Sequence, residues 1–587
     1  MISTEVPNSK LTPNTLYYGD NLPILRDYFP SASVDLIYLD PPFNSNRSYN
    51  VLFKDESGRD SEAQITAFED SWHWGRSTEE LYSELLREAP ERVARVLAAL
   101  VESLGRTNQI CAYLVMMTAR LIELHRVLKA SGSLYLHCDD SASHYLKLIL
   151  DSIFGPENYR NHLNWKRAIA HNDPNRFGRI QDHILFYSRT DQPYWNGHDI
   201  ATAKTEEQLA AAYPSQDERG RYRSADLTGP LHNAERGSPS TLPWRKYDVY
   251  ALGRCWSVPK TGKYAEYIER HFIPGYRAIP GVHERLEALD AAGLIHHPKR
   301  GKWPGLKRYA AADTGNSPQD LLLEPSGFTN YNKQRGEHLG FQTQKPRALV
   351  EKFILASCPP DGFVLDPFCG CGTAIDAAHA LGRRWAGIDI THLSVALMKY
   401  RLRDRYQLLP GRDYAVIGEP SSLPGARQLA AEDRYQFQWW ALSLVGAKPL
   451  GAPSGSRRGK RGADRGIDGV IHFLGDGGAA ERALIQVKSG GVNSGDIRDL
   501  RGTLERENAA LAAFITLEAP SQPMQTEALA TGFYETQAWG RFPRLQVLTI
   551  EVLLADATLE MPREHGTFRR APRAERARAD QGELRLG

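Results

Sequence analysis

Two short apolar stretches, more than three hundred residues apart, each run into an aspartate–proline turn. Residues 33–39 (Ser-Val-Asp-Leu-Ile-Tyr-Leu) lead into Asp40-Pro41-Pro42-Phe43, and Phe363-Val364-Leu365 leads into Asp366-Pro367-Phe368-Cys369-Gly370-Cys371-Gly372-Thr373. A short run this apolar is the pattern of a parallel strand buried on both faces. Further strand candidates lie at 16–20, 133–137, 163–165, 184–187 and 385–390, and helical spacing covers 113–128, 144–154, 347–357 and 374–381. Gly132 stands between helical and strand patterns and reads as a helix stop. Alternating strands and helices predict an α/β chain with a doubly wound, Rossmann-like sheet, whose ligands sit at the carboxyl ends of the strands.

The rhythm breaks from about residue 191 to 335, where Gly, Pro, Trp, Tyr and basic residues interleave, as in Trp244-Arg245-Lys246-Tyr247. That stretch reads as a module inserted into the sheet domain, with many of its tryptophans serving as core. The expected plan is a first catalytic part over 1–190, the insert over 191–335 and a second part over 336–410. A Pro/Ser/Gly-rich linker over 411–434, a separate α/β domain over 435–560 and a disordered basic tail over 561–587 complete it. A length of 587 residues is too great for one core. Six irregularly spaced cysteines argue for a reducing compartment, and Cys369 and Cys371 have no second pair that would make a zinc site. The start carries no basic-then-apolar signal and no apolar run is long enough to span a membrane, so a cytoplasmic, soluble protein is expected.

The first turn has the chemistry to hold an exocyclic amino group. Such nitrogens are poor nucleophiles because the ring delocalises their lone pair, and two hydrogen-bond acceptors on the N–H bonds would localise it. The Asp40 carboxylate can be one acceptor and the Pro41 carbonyl the other, with Pro41 and Pro42 restricting the backbone. Phe43 can stack on a base taken out of a duplex. A plain strand-ending turn would use the same residues. In the second turn Gly370 and Gly372 permit close approach of a ligand to the backbone. It has neither the dinucleotide fingerprint nor the lysine of a triphosphate loop. Asp389, at the end of the next strand, is placed to grip ribose hydroxyls or to cap the following helix.

Jointly, Asp40 to Phe43, Thr343-Gln344-Lys345-Pro346 and Phe368 to Thr373 resemble the DNA amino-methyltransferases in the circular order with the clamp first. That order is shared with the modification subunits of type III restriction systems. The resemblance covers roughly 14–405, loosely over the insert. It implies S-adenosylmethionine as cofactor, with its methionine part held by Phe368, Gly370 and Gly372 beside Asp366 and Thr373. Thr343, Lys345 and Pro346 would line the same site, and Asp20 would lie near the cofactor's adenine. The insert would be the target-recognition region on double-stranded DNA. Aspartate at the start of the clamp favours adenine N6 over cytosine N4. The rivals are a cytosine-N4 enzyme, a methyltransferase acting on RNA or protein amides, and a nucleotide-binding reductase.

Near the C-terminus, residues 466–473 and 483–488 read as two strands joined by Gly475-Asp476-Gly477-Gly478. A hairpin brings Asp468 beside Gln486 and Lys488, which share a face. Asp468, Gln486 and the Val487 carbonyl could coordinate Mg²⁺, with Lys488 orienting an attacking water. A surface hairpin with a chance Asp and Lys is the plain alternative. The segment is similar to Mrr-type restriction endonuclease domains, with glutamine in place of the usual acid. Where such domains often carry a glutamate in the opening helix, this chain has Gln436 and Gln438. The implied partner is double-stranded DNA, with a homodimer left open and no membrane. A domain that only holds DNA is the other reading.

Overall fold

The computed structural model describes residues 14–42, 74–168, 173–231, 235–298, 303–313, 315–325, 337, 344–449, 466–476, 479–555 and 557–562. Phe43, Thr343, the Gly477-Gly478 turn and the tail from Arg563 lie outside the described residues. The chain forms two compact units, Met1–Asn196 with Gln319–Gly587, and Gly197–Pro318.

In the first unit, β1 (Thr15–Tyr18), β2 (Val34–Leu39), β3 (Leu128–Cys138), β4 (Tyr159–Lys166) and β5 (Gln181–Ser188) precede the second unit. In the second unit lie β6 (Ser215–Asp217), β7 (Gly220–Asp226), β8 (Thr228–Pro230), β9 (Arg254–Trp256), β10 (Ile295–His296) and β11 (Gly305–Tyr309). The chain then returns through β12 (Leu321–Leu322), β13 (Phe363–Asp366), β14 (Arg384–Asp389) and β15 (Ala415–Ile417). The first-unit strands make one nine-stranded sheet in the order β12-β4-β5-β3-β2-β13-β14-β1-β15. The run from β3 to β15 is parallel, and β5 is antiparallel to both β3 and β4. This is the doubly wound, Rossmann-like α/β sheet the alternation predicts. All six residues of β2 are buried, which explains its near-unbroken apolar sequence.

The helix Gln109–Val127 passes straight into β3, five residues before the predicted strand start. Gly132 therefore does not end a helix. It lies where the register shifts between Val34↔Leu128 and Leu36↔Ser133, and a Cβ there would come within 2.7 Å of the Leu128 side chain. Apolar spacing alone cannot distinguish that folded-back bulge from a helix terminus.

The compact second unit is narrower than the predicted insert, because β12 already belongs to the main sheet. Its sheet runs β10-β11-β7-β6, and its core includes Tyr222, Trp244, Trp256, Ile268, Tyr276 and Tyr309. Trp244 and Trp256 are thus core residues, as expected.

The stretch 411–434 is not a bare linker. Ala415–Ile417 extends the main sheet beside β1, and Leu423–Glu432 is a helix capped by Ser422. The Pro/Ser/Gly composition marks only the turn and the N-cap. Ala426 and Ala430 of this helix pack into the C-terminal core with Phe437 and Trp440, so that domain begins before residue 435. The domain's strands are β16 (Lys448–Pro449), β17 (Gly469–Leu474), β18 (Ala480–Lys488), β19 (Leu511–Thr516), β20 (Phe533–Thr536), β21 (Gly540–Pro543) and β22 (Leu545–Thr549). Its sheet has the order β16-β17-β18-β19-β22, with the predicted β17–β18 pair antiparallel and the rest of the run to β22 parallel. Among the described residues no helix is long and apolar enough to cross a membrane.

Candidate active site

The two aspartate–proline turns lie on neighbouring strands. β2 and β13 pair in parallel with Leu36↔Val364 and Ile37↔Leu365, so both strands release their turns at the same edge of the sheet. β14 lies on the other side of β13 with Asp366↔Gly387, which brings Asp389 to that edge as well. Three carboxylates, Asp40, Asp366 and Asp389, therefore converge from three adjacent strand ends.

Asp366 is almost wholly buried and accepts the Phe368 N–H at 3.0 Å. Burial, followed by the negative charges of Asp40 and Asp389, pushes its carboxyl up to about 8. Burial also raises Asp389, against hydrogen bonds that favour its charged form. One Asp389 oxygen accepts the Gly370 N–H at 2.8 Å, and the other accepts both the N–H and the hydroxyl of Thr391 at 2.9 Å. The cap of the helix His392–Tyr406 is Thr391, whose hydroxyl accepts the Ser394 N–H, so Asp389 is not its cap. Asp389 instead latches the glycine loop to the end of β14 and retains lone pairs for a further donor.

Gly370 and Gly372 have φ of 51° and 76°. A Cβ on Gly372 would sit 2.6 Å from Met398 Cγ, so both conformation and space exclude a larger residue. Gly372 is the N-cap of the helix Thr373–Ala380. Thr373 is buried, and its hydroxyl accepts from Arg401 at 3.4 Å, so its side chain braces the loop from beneath. Cys369 and Cys371 are buried free thiols, and no metal-binding cluster of His, Cys, Asp and Glu occurs among the described residues.

Lys345 meets the clamp directly. Its Nζ lies 2.5 Å from Asp40 Oδ2, and both side chains are largely buried. One oxygen of Asp40 is thus held by a cation, and among the described residues no hydrogen bond reaches Oδ1. Pro346 follows as the N-cap of the helix Arg347–Ser357. Pro41 is buried and Pro42 half-buried at the start of the turn. Beside the clamp strand the Tyr38 hydroxyl meets His137 Nδ1 at 3.4 Å, and His137 Nε2 meets Asp182 at 3.1 Å. Arg167 closes this row with an ion pair to Asp182 at 2.9 Å.

Asp20 caps the helix Asn21–Tyr28 through the Leu22 N–H and pairs with Arg120 at 2.7 Å. Arg120 Nε also donates to Asn21 Oδ1, and Asn21 Nδ2 donates to the Pro367 carbonyl at 2.8 Å. This tie from β1 to the second turn escaped sequence reasoning. Its one visible trace is an arginine inside the otherwise apolar face of Gln109–Val127, where a buried charge needs a partner.

In the C-terminal domain Asp468 bonds the backbone of β18 on either side of Gln486, two residues before Lys488 on the same strand. The Asp468 N–H donates to the Ile485 carbonyl at 2.8 Å, and Asp468 Oδ2 accepts the Val487 N–H at 2.6 Å. Gln486 Oε1 is buried with no hydrogen-bond partner among the described residues, and Lys488 Nζ lies 3.8 Å from Asp496. Gln436 turns elsewhere: its Oε1 accepts from the Tyr18 hydroxyl at 3.4 Å and from the His392 N–H at 3.5 Å. Gln436, one of the two glutamines standing in the helix where similar domains often carry a glutamate, thus ties that helix to β1 and to the helix His392–Tyr406.

The geometry agrees with what comparison finds. Residues 34–399 match the N6_N4_Mtase family model, described as DNA methylase, and the chain belongs to that family of DNA methyltransferases. It is 28% identical over 386 residues to the type II methyltransferase M.EcaI of Enterobacter cloacae, a match covering 65% of this chain and 68% of that one. It is 26% identical to the Mod subunit of the type III enzyme StyLTI of Salmonella typhimurium, over 65% of this chain and 52% of the relative. The Mod subunit of EcoP15I from Escherichia coli matches at 23% identity over 64% and 57% of the two chains. The match thus spans about two thirds of the first relative and little more than half of the other two. Residues 455–537 match a second family, described as NACHT-associated inactive Restriction Endonuclease 1.

Proposed function

We propose that the protein transfers a methyl group from S-adenosylmethionine to adenine N6 in double-stranded DNA, within a restriction–modification or defence system. The observation that carries this reading is the convergence of Asp40 with the Asp366–Gly372 loop and Asp389 at one sheet edge. Asp40, Asp366 and Asp389 beside Lys345 make a site suited to a cationic ligand, and the bound cofactor would supply an electrophilic methyl group. Asp366, Gly370, Gly372 and Asp389 would hold it. Asp40 Oδ1 and the Pro41 carbonyl would accept the two N–H bonds of an extruded base, and Lys345 fixes the other Asp40 oxygen. The aspartate in the clamp favours adenine over cytosine N4, and the kinship with Mod subunits supports the restriction–modification setting. Incubating unmodified genomic DNA with methyl-labelled cofactor should label DNA at N6-methyladenine; label at N4-methylcytosine would overturn the base assignment, and none at all the whole reading.

A pH dependence follows from Asp366. Its proton is held in the fold up to about pH 8 and lost in the unfolded chain near 4, so this group makes the ligand-free protein less stable as pH rises between those values. A cationic ligand favours the ionised form, so its affinity should rise through the same window, by about tenfold from pH 6 to 7. Calorimetric titration across pH 6–8.5 checks this, and Asp366→Asn should flatten the profile. An unchanged slope in that variant would remove Asp366 from the site.

For the C-terminal domain we infer Mg²⁺-dependent cutting of DNA, supported by the partnerless Gln486 oxygen beside Asp468 and Lys488. One carboxylate and neutral oxygens would need substrate phosphates and water to complete the ion's shell. Plasmid nicking that requires Mg²⁺ and vanishes in Asp468→Ala is the expected result. The second reading, a domain that only holds DNA, is favoured by the single carboxylate and by the inactive family it matches. Retained DNA binding with no nicking of methylated or unmethylated plasmid would establish that reading instead.

A further inference from the structure

In the Gly197–Pro318 unit, β7 and β11 pair antiparallel with Arg223 directly opposite Arg308. Directly opposed side chains share one face of the sheet with Cβ atoms only about 5 Å apart, and like charges so placed oppose folding. Arg221 lies two residues before Arg223 and therefore on the same face. Like charges are tolerated there without a visible counter-charge. Among the described residues no ion pair joins Arg221, Arg223 or Arg308 to a carboxylate, whereas Arg245 is paired with Glu287, Arg254 with Asp226 and Arg277 with Glu269.

The nearby acid cannot serve the pair. Asp313 already accepts from Lys204 at 2.6 Å, from the Tyr213 hydroxyl at 2.6 Å and from the Gly315 N–H at 2.8 Å. The guanidinium groups are instead set on aromatic rings, Arg223 over Tyr213 at 5.9 Å and Arg308 over Tyr264 at 5.1 Å. Tyr264 is itself fixed, its hydroxyl donating to the Lys307 carbonyl at 2.6 Å and accepting the Tyr309 N–H at 3.1 Å. Arg308 Nε is buried and has no hydrogen-bond partner among the described residues. Two exposed or half-exposed guanidinium forks, held on aromatic rings and short of an anion, present N–H donors that match the acceptor oxygens of a phosphodiester.

We propose that Arg223 and Arg308 are a phosphate-binding pair through which this unit grips the backbone of double-stranded DNA. The proposal rests on the reading of the chain as a DNA-modifying enzyme and adds the residues that hold the duplex. Phosphate contacts set register without reading sequence, so these arginines would position the duplex while other groups read its bases.

The test is the salt dependence of binding of a fluorescent duplex to the full-length protein, by anisotropy. Each arginine changed to glutamine should lower the magnitude of the log–log salt slope by about 0.9, and the double change by about 1.8. The loss should be equal for unrelated duplex sequences. Lysine at both positions should restore the slope, and Arg277→Gln, which removes the same charge from a paired site, should leave it unchanged. Because glutamine relieves a like-charge contact, melting temperature should not fall; should the double variant fail to fold, the single changes carry the same test at half the effect. An unaltered slope in the glutamine variants, an equal loss in Arg277→Gln, or a wild type that does not bind duplex at low salt would each overturn the pair. Methyl transfer is measured separately: binding with the expected slopes but no transfer would sink the methyltransferase reading and leave the pair standing.

Discussion

Changing Asp40 to alanine should reduce methyl transfer by about 10³-fold while cofactor affinity stays within a few-fold of wild type. On the proposed reading the carboxylate would accept an N–H of the attacking nitrogen, and among the described residues its ion pair is with Lys345, whereas the glycine loop is anchored by Asp389 and Asn21. The variant also removes the carboxylate that holds Lys345 Nζ in a largely buried pair. Removing one member of such a pair costs about 3–5 kcal/mol, so a fall in melting temperature should accompany the loss of activity. Asp40→Ala combined with Lys345→Met removes both charges and should recover most of the stability and none of the transfer. That pattern separates chemistry from folding. Lys345→Met alone leaves the carboxylate free to turn, and a misplacement of this kind costs about 10²-fold in turnover. Single-turnover transfer, with cofactor binding measured in parallel, decides between these outcomes. Loss of cofactor binding in Asp40→Ala would mean that the clamp and the cofactor site have been confused.

Much of this site was legible in the sequence because each half is local. A strand buried on both faces must be apolar throughout, and a turn that brings backbone to a ligand must use glycine or proline, so 34–43 and 363–373 carry their geometry in neighbouring residues. The hairpin of Asp468, Gln486 and Lys488 was legible for the same reason, since period two along a strand fixes which side chains share a face. What the sequence hid is long-range. Lys345 reaches Asp40 across 305 positions, and Asn21 reaches the Pro367 carbonyl across 346. No propensity or spacing encodes such pairs. The role of Gln436 was hidden in the same way, because its partner is His392 on another domain's helix. Gly132 and the 411–434 segment were misjudged for a different reason. Glycine and a Pro/Ser/Gly cluster mark a change of backbone direction, and that signal does not distinguish a bulge or an N-cap from a helix stop or a linker.

Asp389 should give the complementary phenotype to Asp40. Its carboxylate joins the Gly370 N–H, the Thr391 N–H and the Thr391 hydroxyl, so it fixes the loop at the same sheet edge, where the proposed reading places the cofactor. In Asp389→Ala the loop amide loses its acceptor, and on the proposed reading the ribose hydroxyls would lose theirs. Hydrogen bonds to a charged group contribute about 1.5–3 kcal/mol each, so a ten- to hundredfold weaker cofactor affinity is expected for the ribose contact alone. Asp389→Asn keeps one acceptor oxygen but turns an amide N–H toward a donor, either Gly370 or Thr391, so it should recover only part of the binding. Equilibrium titration of the cofactor against each variant measures this directly. The decisive comparison is the crossing of the two results: Asp40→Ala binds and does not transfer, whereas Asp389→Ala fails first at binding. A carboxylate that merely braced the fold would lower melting temperature and cofactor affinity together, and Asp389→Asn would then bring both back to the same partial extent. A recovery of stability that outruns the recovery of affinity is the outcome that assigns Asp389 to the ligand.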